Sequence, residues 1–167
     1  IIASWMAWES IDWMAKTPVS ALNSVKKNLG FYLAAGLGLV GVTAALLVMK
    51  VQPAWIVTLM GVWAVVLILR RGQPMAKRAV LFMTGTALVL TLAVELIVLV
   101  GDIGRMNTVF KFYLQAWTLF SLSAAAALVW LWAAVESAWN HRARGVWKVA
   151  LAVFVIGAAL YPVMAGT

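Results

Sequence analysis

The sequence predicts an all-α, polytopic membrane protein: five transmembrane helices preceded by an N-terminal amphipathic helix lying in the interface. Three observations carry this expectation. First, 65% of the 167 residues are hydrophobic and 11% are charged, against about 45–50% and about 25% in a soluble domain. Second, the apolar residues fall into runs of roughly 20, the length at which a helix crosses a hydrocarbon core. Third, the basic residues, part of 13 Lys and Arg against 5 Asp and Glu, sit in short connections between those runs. There they set topology, and no nucleic-acid partner is needed to explain the charge of +8. The chain has no cysteine, which excludes disulfides, thiolate metal sites and thiol catalysis. One histidine, His141, argues against a multi-histidine metal or haem site, and no cofactor is expected.

Two parts are expected, an interfacial segment at 1–27 and a helical bundle at 28–167. In residues 1–16, Trp5, Trp8 and Trp13 accompany Ile1, Ile2, Met6, Ile11 and Met14, while Glu9, Asp12 and Lys16 share one narrow sector at helical spacing. Tryptophan at the membrane–water boundary fits an in-plane helix. Thr17-Pro18 reads as a helix restart, with Thr as N-cap and Pro at the first helical position. Lys26 and Lys27 mark a membrane boundary.

The spans are expected at about 31–48, 54–69, 79–100, 107–138 and 149–161. The first carries Gly36, Gly38 and Gly41, with Ala34/Gly38 and Gly41/Ala45 four residues apart. Such spacing permits close helix approach, and packing inside the chain's own bundle is the expected use. Pro53 suits the start of the second span, which has no charge and is read as structural. A polar loop with Arg70, Arg71, Lys77 and Arg78 precedes the third, where Thr84, Thr91 and Glu95 share a face. The fourth is about 45 Å long at helical rise, so its end should protrude into a polar loop at Asn140–Lys148. Placing the N-terminus in the cytoplasm puts ten of these cations inside, among them Lys16, Lys26, Arg70, Lys77, Arg144 and Lys148. Only Lys50, Arg105 and Lys111 fall outside. The positive-inside rule then gives an integral protein of the cell membrane, with a cytoplasmic N-terminus and an extracytoplasmic C-terminus. The chain does not open with Met and stops just after an apolar run, so it reads as a processed product or part of a longer protein.

The densest chemistry lies between Glu95 and Trp117, ELIVLVGDIGRMNTVFKFYLQAW. Glu95 sits about 9 Å below the break at 101–104, and Gln115 lies at comparable depth in the next helix. Asn107, Lys111 and Gln115 repeat every four residues and share a face, with Asp102 and Arg105 at the mouth. A short connection makes the two helices antiparallel neighbours, so their polar faces should meet in an outward-facing pocket. An ionisable group inside a membrane segment costs about 2.5–3.5 kcal/mol on insertion scales, which makes it a site candidate. Arg105 and Lys111 suit a phosphate or carboxylate head group, and the helix start adds free N–H groups. Tyr113, Phe112 and Trp117 are placed to touch a sugar face or prenyl chain, or to anchor the interface. The bland alternative is that Glu95 pairs with Lys111 or Arg105 and fixes helix packing. No nucleophile–base pair, Gly-rich phosphate loop or metal cluster occurs in the sequence, so no catalytic residue is assigned.

Residues 105–117, RMNTVFKFYLQAW, with Glu95 and Asp102 before them, resemble the signature of a family of very hydrophobic, polytopic proteins. That family is named for a Tyr-Tyr-Tyr motif and classed as a domain of unknown function, and its members resemble GT-C membrane glycosyltransferases. The resemblance is close over about 25 residues. It implies a polyprenyl-phosphate sugar donor at the outer face, with Arg105, Asn107 and Lys111 at the lipid phosphate. This chain lacks the Tyr-Tyr-Tyr motif, and it lacks the first outer loop that carries the acidic catalytic residue of GT-C enzymes. The resemblance therefore implies a late, C-terminal portion without the catalytic base. The rival expectation is a non-catalytic accessory subunit of a larger energy-transducing or photosynthetic complex, with other transmembrane subunits and membrane lipids as its partners. His141 is a conceivable pigment ligand there, but its basic loop favours a solvated side chain.

Overall fold

The computed structural model describes residues 1–18, 29–51, 53–96 and 106–165, and the described residues are helical with short turns and no strand. The helices are α1 (Ile2–Lys16), α2 (Leu29–Val48), α3 (Ala54–Leu69), α4 (Met75–Leu96), α5 (Met106–Ala138) and α6 (His141–Ala165). Three of them are long and apolar enough to cross a membrane, over Met75–Leu96, Val109–Ala138 and His141–Leu160. Leu33–Val48 and Ala54–Leu69 are shorter apolar helices. The chain divides into two compact units, Ile1–Leu128 and Val129–Thr167.

Helices this apolar have few polar side chains to satisfy, and they satisfy them locally. Thr43, Thr58, Thr84, Thr86, Thr91 and Thr118 each donate a hydroxyl to the carbonyl four residues back, at 2.6–3.0 Å. In a medium without water, an unbonded hydroxyl would cost several kcal/mol, so each Thr closes on its own helix.

In the first unit α3 and α4 make the most extensive contact between helices, and Ala64 and Leu67 of α3 and Leu81 and Ala87 of α4 are fully buried. Trp5 and Met6 of α1 are also fully buried, and the Trp63 indole of α3 donates to the Ser10 hydroxyl of α1 at 2.9 Å. The α1 helix is therefore packed onto the bundle through a face the sequence read as membrane-facing.

The α2–α3 connection is a Schellman turn. Val51 N–H donates to Leu46 C=O at 3.0 Å and Lys50 N–H to Leu47 C=O at 2.9 Å, while Val51 is buried. Lys50 takes the left-handed position, at φ 63°. A side chain there costs about 1–2 kcal/mol that glycine avoids. Lys50→Gly is therefore expected to raise stability by about 0.5–1 kcal/mol, after glycine's own entropy loss, as measured by unfolding in micelles.

Several expectations need correcting. The small-residue face of α2 is not packed: a Cβ at Gly36, Gly38 or Gly41 would meet nothing within 4 Å. The loop expected at Asn140–Lys148 is the start of α6, because Asn140 Oδ1 caps the helix by accepting from Ala143 N–H at 2.8 Å. Likewise α4 begins at Met75, so Lys77 and Arg78 lie in its first turn rather than in a loop. Thr17 ends α1, its hydroxyl donating to Trp13 C=O at 2.7 Å, and the restart expected beyond it lies outside the described residues.

In the second unit, the end of α5 and the start of α6 form a hairpin. Glu136 accepts from Arg144 at 3.1 Å and from Lys148, and the Lys148 ammonium lies 5.1 Å from the Trp132 ring centroid. Trp147 meets Trp132 and Trp139 edge-on, at 5.9 and 6.5 Å. His141 is exposed at the first turn of α6.

Candidate functional site

The sequence points to the end of α4 and the head of α5, and the first unit brings these two segments together. Ser123 of α5 is fully buried and donates to Val80 C=O of α4 at 3.4 Å. Further along, the Tyr113 hydroxyl donates to Glu95 Oε1 at 3.4 Å. The residue numbers of the pairs rise on one helix as they fall on the other, which makes the two antiparallel. The Glu95 carboxylate is thereby turned toward α5, half-buried, with a phenol against it.

The other candidates divide between placed and not placed. Asn107, Lys111 and Gln115 are all exposed, on one face of the first three turns of α5. Among the described residues, no ion pair joins Lys111 to Glu95. Gln115 and Thr118 line a shallow open depression with Leu114 and Leu119. Asp102 and Arg105 lie outside the described residues. The site therefore presents an ammonium and an amide outward, backed by a half-buried Glu95–Tyr113 contact. It can receive an anion and hydrogen-bond a polyol. Among the described residues, no group of three His, Cys, Asp or Glu side chains is placed to hold a metal.

A second polar cluster was missed by sequence reasoning. Glu9, expected to face water with Asp12 and Lys16, is 5% exposed. Its carboxylate accepts from Arg70 Nη1 at 3.4 Å and from the Lys77 ammonium, and its backbone carbonyl accepts from Arg70 at 3.3 Å. The Arg70 guanidinium also lies 5.7 Å from the Trp13 ring centroid, and Arg78 Nη2 donates to Arg70 C=O at 3.1 Å. Asp12 and Lys16 pair with each other on the outer face, at 2.8 Å. The signal was present. Trp5 and Trp13 stand one turn either side of Glu9, so the aromatic and acidic faces of α1 coincide. The positive-inside rule alone accounts for the cations at 70–78, so the sequence gives no separate sign that they pair with Glu9.

The model of one protein family, described as Uncharacterized membrane protein (DUF2298), matches residues 1–120. The chain belongs to this family. No curated protein and no solved structure matches it. The DUF2298 match runs from α1 to the head of α5, so it spans both polar clusters. Its description places the protein in a membrane and names no activity.

Proposed function

We propose that this chain is the portion of a GT-C-like membrane protein that holds the phosphate of a polyprenyl-phosphate sugar. In this reading it crosses the membrane five times, with a cytoplasmic N-terminus, and the head of α5 faces the extracytoplasmic leaflet. Lys111 and Arg105 neutralise the phosphate, Asn107 and Gln115 hydrogen-bond phosphate or sugar, and Asp102 stands at the mouth. Glu95 and Tyr113 hold the head of α5 against α4. The observation that carries the reading is the Tyr113–Glu95 contact at 3.4 Å, which fixes the α5 head while Lys111 and Gln115 stay exposed one turn apart. An ammonium on a membrane helix, with no carboxylate partner among the described residues, is expensive unless it meets water or an anion.

The test is binding of polyprenyl phosphate to the protein in lipid nanodiscs. Hydrogen bonds to charged groups contribute about 1.5–3 kcal/mol. Lys111→Ala should therefore weaken binding about tenfold or more, and Arg105→Ala should abolish it. Unchanged affinity in both variants rules the head-group site out.

A second reading, a non-catalytic subunit of a larger energy-transducing or photosynthetic complex, draws on α2. Its face at Leu33, Leu37, Val40 and Val48 is 58–84% exposed, a surface suited equally to lipid and to another transmembrane subunit. Stoichiometric copurification with other membrane subunits, with polyprenyl phosphate binding absent, would favour it.

A further inference from the structure

At the opposite end of α4 from Glu95, the turn between α3 and α4 carries more positive charge than the bundle around it neutralises. Glu9 is shared by Arg70 and Lys77, and Asp12 is taken by Lys16. Arg71, which is exposed, and Arg78, which is half-buried, have no carboxylate partner among the described residues. Two buried donors in the same turn also lack acceptors among the described residues: Arg78 Nε and Gln73 Nε2, the latter on a residue only 6% exposed. Gln73 N–H and Arg78 Nη2 both donate to the Arg70 carbonyl, at 3.4 and 3.1 Å, so these residues surround one point of the chain. A buried donor left without an acceptor has given up its water without gaining a partner. Several cations and spare donors around one turn are a demand for oxygen anions.

We propose that the Arg70–Arg78 turn is a binding site for the phosphate of an anionic phospholipid in the leaflet at this end of the bundle. The turn joins two apolar helices, so it lies at the depth of the head groups rather than in free solution, and the Trp13 ring beside Arg70 suits that interfacial level. Arg71 and Arg78 engage the phosphate oxygens, the Gln73 amide supplies a neutral donor, and the acyl chains lie along apolar α3 and α4. Glu9 binds Arg70 and Lys77 from the other side and pins α1 to the lipid-facing turn. Basic clusters at the ends of transmembrane helices attract anionic head groups at about 1 kcal/mol per cation, roughly fivefold in affinity.

The experiment is native mass spectrometry of the full chain released from mixed phosphatidylglycerol and phosphatidylcholine, counting retained lipid. The wild type should retain phosphatidylglycerol preferentially. Arg71→Gln, an exposed change that removes no contact, should lower that preference about fivefold, and adding Arg78→Gln should lower it further. Lys50→Gln, which removes an exposed cation from another turn, should leave it unchanged. Equal preference in the wild type and R71Q overturns the site, as does an equal loss in K50Q. Displacement of phosphatidylglycerol by inorganic phosphate at matched concentration would assign the cluster to a soluble anion and overturn the lipid claim.

Discussion

Replacing Glu9 with Gln should destabilise the first unit by about 3 kcal/mol. The Glu9 side chain is 6% exposed, and it serves two cations, Arg70 at 14% and Lys77 at 25%. Removing one member of a buried ion pair costs about 3–5 kcal/mol, chiefly because the charge left behind has lost its water and its partner. The lower end applies, since Lys77 can swing its ammonium toward solvent. The loss should be visible as a lower denaturant midpoint in micelles, with faster amide exchange in α1 than in α4. A second change separates charge from shape. Adding Lys77→Gln to Glu9→Gln removes one orphaned cation, so the double variant should recover part of the loss rather than lose more. Simple additivity of the two losses would mean that the cluster is not coupled as its geometry indicates.

Leu81→Ala and Phe82→Ala should differ sharply although the positions are adjacent. Leu81 of α4 is fully buried, while Phe82 beside it is 68% exposed. Truncating a buried Leu costs about 2–5 kcal/mol, part transfer and part cavity. In a membrane the unfolded reference still surrounds the side chain with lipid, so the transfer part shrinks and the cavity part remains. A loss of about 2 kcal/mol is expected for Leu81→Ala, and less than about 0.5 kcal/mol for Phe82→Ala. Unfolding of both variants in the same micelles gives the comparison. Equal losses would mean that the packed face of α4 is misassigned.

The helices were legible in the sequence because membrane solvation leaves the chain little choice. A run such as Ala54–Leu69, apolar except for Thr58, must close its backbone bonds internally, and it begins and ends where the sequence predicted. The helix ends were harder to read. Lys77, Arg78, Arg144 and Lys148 looked like loop because charge usually means solvent, yet each sits on a helix whose first turns reach a carboxylate or carbonyl elsewhere. Which face of a helix packs was least legible. When nearly every side chain is apolar, hydrophobicity no longer separates core from lipid. The small residues of α2 pointed to a packed face that the structure leaves open, whereas the packed alanines lie at Ala64 and Ala87. Of the candidate site, the approach of α4 and α5 near Glu95 followed from a short connection, but the four-residue spacing pointed to the wrong partner: Asn107, Lys111 and Gln115 stay exposed, and Tyr113, from a different face of α5, meets Glu95. The Glu9 cluster did not follow, because its partners lie more than sixty residues away, at Arg70 and Lys77.

The end of α4 approaches the head of α5, so that Glu95 and Tyr113 meet and Lys111 is left exposed. The chain contains no cysteine, so a single engineered pair reports without background. Glu95→Cys combined with Tyr113→Cys, treated in native membranes with a short bifunctional thiol reagent, should crosslink within the chain rapidly and nearly completely. Lys111→Cys alone should be labelled by a water-soluble maleimide. A Glu95/Tyr113 pair that fails to crosslink, or a Lys111 position closed to the maleimide, would contradict the account.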